Sequence, residues 1–138
     1  MAITSLVTFN NAIQGMSISG VTQSLAYQPE KIDTADCPLQ FPRRVRSQEN
    51  PLTADGQGGW PRMDAEFWIV VSPVLQSTNQ DNHSLMITLM EATAAALRAQ
   101  LPGVLGKSKT QWTLSGEPRE IYPGALYWVV ICTVVVNG

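Results

Sequence analysis

The sequence predicts an α+β fold: a mostly antiparallel sheet with one short N-terminal helix and one long helix packed on a face. Three observations carry this reading. The predicted elements run helix, two or three strands, helix, two or three strands, without the regular βαβα alternation that builds a parallel sheet. Strong helical periodicity is confined to one long segment, residues 81–101. The last fifteen residues, GALYWVVICTVVVNG, contain no charge and read as a strand that is apolar on both faces.

Residues 3–14 form the first predicted helix. Leu6, Phe9 and Ile13 fall on one stripe, Thr4 can cap the start, and Gly15 can end it. Residues 16–24 are ambiguous, because Gly20 and the Ser and Thr residues weaken any helix there. Residues 25–28 look like a short strand ending at Pro29, and residues 30–38 are polar and turn-rich. In residues 39–46 (LQFPRRVR), Leu39, Phe41, Arg43 and Val45 alternate with Gln40, Pro42, Arg44 and Arg46. That is strand patterning, but Pro42 cannot donate to a ladder, so an edge strand or a bulge is expected. Residues 47–61 (SQENPLTADGQGGWP), rich in Gly and Pro, read as a long flexible loop.

Residues 62–74 give a long strand with Phe67, Ile69 and Val71 on one side and Trp68 and Val70 on the other. In the long helix, Met86, Met90, Thr93, Leu97 and Leu101 share a stripe flanked by Leu89 and Ala96. Asn79 or Asp81 can cap it, Pro102 and Gly103 are expected to end it, and Glu91 and Arg98 lie on its wetter face. Two strands are expected, one within residues 106–114 centred on 111–114 and one at 119–122. A final strand over 125–136 closes the sheet, with Val129, Ile131, Thr133 and Val135 on one side and Trp128, Val130, Cys132, Val134 and Val136 on the other. A chain with few helices has little to cover both faces, which points to a partner subunit.

The 138 residues suit a single domain, since domains commonly run ~100–150 residues. Charged residues make up 14% of the chain, against roughly 25% in typical soluble proteins. A weakly charged surface suits either a monomer or a subunit partly buried in an assembly. The net charge of −2 argues against a broad nucleic-acid-binding face. No apolar run reaches the ~18 residues of a membrane span, and the first residues lack the basic and apolar regions of a signal peptide. Cys37 and Cys132 have no metal-ligand spacing and are expected to stay reduced, with no disulfide between them.

No residue set announces a reaction, and no catalytic, cofactor or metal site is assigned. His83, the one histidine, falls in the first turn of the long helix, where a surface or capping role competes with a hydrolase role. Asp64 and Glu66 share a strand face, and Asp33 and Asp36 are close in sequence, but neither pair has a third ligand at useful spacing. The glycines of residues 55–59 (DGQGG) lack the lysine and the following helix of a phosphate loop. Trp60 can anchor its loop to the core or dock into a neighbour. Arg43, Arg44 and Arg46 form the one basic cluster, open to solvent, to phosphate, or to an acidic patch on another subunit. The candidate interface residues are therefore Arg43, Arg44, Arg46, Trp60, Trp68, Trp128 and Val134.

The order of these features resembles the tail terminator and neck proteins of long-tailed bacteriophages. The resemblance runs over nearly the whole chain: the short first helix, the segment LAYQPEKIDTADCPLQFP, the Gly/Pro loop, the strand DAEFWIVV, the helix SLMITLMEATAAALRAQL, and the apolar strand after YPGALYWVV. It is a pattern rather than a residue motif, and it carries over no catalytic residue. It implies a small structural subunit of the virion, made in the host cytoplasm. Its copies would form a ring, commonly a hexamer, that caps the tail tube and joins it to the head connector. The implied partners are other copies of the chain, the tail tube protein and the head–tail connector proteins, with no membrane, and with DNA only passing through the lumen. The alternatives are a head–tail stopper or tail completion protein, a small cellular ligand-binding domain with Trp68, Trp112, Tyr127 and Trp128 lining a pocket, and a hydrolase using His83.

Overall fold

The computed structural model describes residues 6–25, 27–29, 32, 37–48, 62–74, 79–105 and 109–137. The elements are α1 (Leu6–Gln14), β1 (Gln23–Ser24), β2 (Leu39–Gln48), β3 (Arg62–Pro73), α2 (Asn79–Leu105), β4 (Lys109–Tyr122) and β5 (Ala125–Asn137). The strands form one mixed sheet in the order β1-β2-β3-β5-β4, in which only β1 and β2 run parallel. Two helices on a largely antiparallel sheet make this an α+β fold.

Both helices pack on the same side of the sheet. α1 buries Phe9 and Ile13, and the turn after it adds Met16 and Ile18. α2 buries Met86, Leu89, Thr93, Ala96 and Leu97 and half-buries Met90, in keeping with the stripe that its periodicity predicts; the Leu101 side chain lies outside the described residues. Thr93 is satisfied there, because its hydroxyl donates to the Leu89 carbonyl at 2.7 Å. The strands answer with Met63, Ala65, Phe67, Ile69 and Val71 from β3 and Val130, Cys132, Val134 and Val136 from β5. This helix-side core is the larger of the two.

The opposite side divides into two halves. At one end Leu39, Phe41, Trp68, Val70, Ile121, Tyr127 and Val129 form a second apolar cluster. Ile32 packs into it, and Leu25 and Cys37 lie against it, so the segment between β1 and β2 supplies local cover. Ile131 also packs against this cluster; at the other end Thr133 and Val135 of β5 are half-buried and Gln111 and Thr113 of β4 are exposed. The two-sidedness of β3 and β5 is therefore real, but it is complete only over part of their length.

Several predicted boundaries move. The short strand lies at Gln23–Ser24 rather than at 25–28, where Thr22 and Leu25 donate to the carbonyls of Pro38 and Gln40, each at 2.8 Å. β2 does carry a register shift between Pro42 and Arg44, one of the two outcomes expected of a proline in a strand. α2 continues through Pro102 and Gly103 to Leu105, although a proline inside a helix removes one backbone donor and crowds the carbonyl four residues before it. The two strands expected, one within 106–114 centred on 111–114 and one at 119–122, are one strand of 14 residues, Lys109–Tyr122. β4 and β5 are joined by Pro123 and Gly124, and Gly124 takes a φ of 82°, the pattern of a type II turn with Pro first and Gly second.

Candidate interaction surface

The register of β2 on β3 assembles the charged cluster. Arg46 stands opposite Asp64 and Arg44 opposite Glu66, all on the side away from the helices. Arg46 Nε donates to both carboxylate oxygens of Asp64, at 3.1 and 3.3 Å, and an Arg44 guanidinium nitrogen lies 3.7 Å from Oδ1. Asp64 is 7% exposed, while the two arginine side chains are 43% and 60% exposed. Arg43, in the bulge, lays its guanidinium 4.2 Å from the centre of the Trp68 ring and donates to the Gln28 side-chain oxygen. Trp68 is 7% exposed, packs at 6.2 Å from Phe41, and donates its indole N–H to Glu66 Oε2 at 3.2 Å. Three guanidiniums meet two carboxylates, so the cluster keeps one net positive charge.

The predicted carboxylate pair, Asp64 and Glu66, thus shares a face but is engaged by arginine and indole. Among the described residues, no group of three or more His, Cys, Asp or Glu side chains is placed to hold a metal ion. His83 is exposed on α2 and meets Trp128 edge-on, with ring centres 5.7 Å apart. Trp128 is half-buried beside the helix-side core. Val134 is fully buried in that core, so it has no surface to offer a partner in this fold. Trp68 and Tyr127 belong to the far-side cluster, whereas Trp112 and Trp128 pack on the helix side, so the four do not line one pocket. Trp60, Asp33, Asp36 and residues 49–61 of the predicted loop lie outside the described residues. Burial pushes the Cys132 thiol up to about 12, and neither cysteine forms a disulfide.

Two features were not legible in the sequence. A groove of about 440 Å³ runs between α1 and β2, lined by Val7, Asn10, Gln14, Pro42, Arg43, Arg44 and Val45. Val7 and Val45 are 68% and 37% exposed there. The one available signal was Val7, an apolar residue off the Leu6–Phe9–Ile13 stripe. The second feature is the pair of sheet edges. Among the described residues, β1 covers only Leu39 and Gln40 of β2, and β4 pairs with β5 alone. Among the described residues the sheet therefore ends in two different strand edges, one on each side.

Comparison of the chain with protein-family models and with curated proteins returns no match.

Proposed function

We propose that this chain is a virion structural protein, a tail terminator whose copies close into a ring that caps the tail tube of a long-tailed bacteriophage and joins it to the head connector. The observation that carries this reading is the pair of sheet edges that are unpaired among the described residues, β2 beyond Gln40 on one side and β4 on the other. A ring needs a head-to-tail contact, and such a contact needs two different, complementary surfaces on every copy. Two distinct edges at opposite sides of one rigid sheet meet that requirement. The sparse charge, 14% of residues, suits a chain that buries much of its surface against copies of itself. Once closed, the ring acts sterically: it occupies the last tube ring, stops polymerisation, and presents a new surface to the head. A head–tail stopper or tail completion protein would use the same contacts at a different level of the neck.

Native mass spectrometry at tens of micromolar, with electron microscopy of the protein mixed with purified tail tubes, tests this. A mass several-fold that of the 15.1 kDa chain, and a cap of density at one end of each tube, are expected. A monomer at every concentration that leaves tube ends bare would overturn the reading.

A further inference from the structure

We infer that the ring contact is a continuation of the sheet: the outer edge of β4 in one copy pairs antiparallel with the outer edge of β2 in the next, and β4 seats Trp112 in the groove between α1 and β2. This rests on the ring reading above and names the surfaces that close it.

Edge strands are normally protected by charge, proline or cover. β4 concentrates its protection at its ends, with Lys109 at the start and Glu117, Pro118, Arg119 and Glu120 in the second half. Residues 110–116 (TQWTLSG) carry neither charge nor proline. Such an edge is a template for another strand.

The polarity is set by the sheet. β2 is antiparallel to β3, β3 to β5, and β5 to β4, so three reversals leave β2 and β4 antiparallel. Copies related by rotation about an axis along the strands keep that relation, so β4 meets the neighbouring β2 antiparallel.

The level is set by the ladders. One row runs Val45, Ala65, Val134, Trp112, and the next runs Arg44, Glu66, Thr133, Thr113. A ring closes only when the step from copy to copy has no net shift along its axis. Rotation without such a shift brings Trp112 opposite Val45 and Thr113 opposite Arg44. The bulges at Pro42/Arg44 and Val70/Ser72 supply the bend that a closing sheet needs. The chemistry then matches on both sides of the joint. On the helix side, half-buried Trp112 meets exposed Val7 and Val45 and the groove they flank. On the far side, exposed Gln111 and Thr113 offer side-chain oxygens to Arg44 and Arg46, and no cation of β4 stands at that level.

The test is disulfide trapping in a Cys37→Ser background, which leaves Cys132 buried. Arg44→Cys with Thr113→Cys places both thiols at exposed positions; Arg46 still holds Asp64 when the 3.7 Å Arg44 pair is lost, and urea unfolding of each single variant checks that the fold is kept. Oxidation should convert the double variant into a covalent ladder that ends at the ring mass, while each single variant gives no ladder. Independently, Val45→Asp should reduce the ring fraction at least tenfold with an unchanged monomer circular dichroism spectrum. If the wild-type chain forms rings but the double variant gives no ladder and Val45→Asp assembles normally, this contact is overturned and the ring reading stands. If the wild-type chain never assembles, in solution or on tubes, both are overturned.

Discussion

Replacing Gly116 by alanine tests how α2 is seated on β4, the strand whose edge the ring reading requires to be rigid. A Cβ at Gly116 would lie 2.8 Å from both Cε and Sδ of Met86 and 2.9 Å from Sδ of Met90. Carbon contacts settle at about 3.5–4.0 Å, so the added methyl overlaps three atoms by roughly 1 Å. A terminal methyl can swing away, but the two sulfurs lie further back along their chains, and Met86 is 3% exposed. Overpacking of this kind costs about 1–3 kcal/mol, and the strand regains about 0.5–1 kcal/mol by losing a glycine. The expected net loss therefore lies between about 0 and 2.5 kcal/mol, centred near 1 kcal/mol, or roughly 3–4 °C in Tm. Met86→Ala should cost about 2–5 kcal/mol by opening a cavity. The double variant should be milder than the sum of the two by about 1 kcal/mol, because the new methyl enters the vacated space. Urea unfolding followed by circular dichroism reads all three. A neutral or stabilising Gly116→Ala, with an additive double variant, would refute the close seating of α2 on β4.

Three further outcomes follow from the same contacts. Val134→Asn should cost upward of about 3 kcal/mol and Val135→Asn under about 1 kcal/mol, since neighbouring positions face the packed core and the half-covered side; equal losses by denaturation would refute the sidedness of β5. Cys132 should resist alkylation in the native protein at pH 8 while Cys37 reacts, as read by mass spectrometry. The raised Cys132 value also sets a sign: above the unfolded value of 9.0 the unfolded chain loses a proton that the native chain keeps until about 12. Stability should therefore fall by about 1.4 kcal/mol per pH unit in that window, relative to Cys132→Ala, and parallel pH profiles for the two proteins would count against it. Asp64→Asn should cost about 1–2 kcal/mol, tempered by the exposure of Arg44 and Arg46, and an unchanged urea midpoint would show that those pairs add nothing.

The sequence made the long periodicities legible and left cross-strand placement out of reach. The Met86–Leu97 stripe of α2 and the opposed apolar sets of β3 and β5 follow from local spacing, and both appear in the fold. The charged site shows the limit. Arg44 and Arg46 on one face, and Asp64 and Glu66 on another strand's face, were each readable. Their meeting was not, because it depends on a register fixed by a bulge at Pro42/Arg44 and by tertiary packing. The half-cover of the far side was hidden for a related reason. It is supplied by Ile32, Leu25 and Cys37, residues in a segment with no periodicity to announce what it packs on.

The sequence pattern splits β4 in two for a physical reason that bears on the edge it presents. Gly116 and Pro118 look like strand breakers, so the segment divides into two short strands when judged by propensity. In the fold each has a place. Gly116 leaves room for Met86 and Met90 of α2, and Pro118 sits on an edge strand, where a missing donor need not interrupt a ladder. Reading them as breaks shortens the strand and conceals its length as an open edge. A 14-residue strand that among the described residues is paired on one side, with its uncharged stretch in the first half, is a surface that a lone monomer would have reason to blunt. Glu117, Pro118, Arg119 and Glu120 blunt the second half, and 110–116 is left unguarded. If that stretch served no pairing, a charged residue such as Thr113→Lys would be neutral for both stability and assembly. If it is the joint, the same change should leave the monomer folded, because Thr113 is exposed, and should stop the ring from closing.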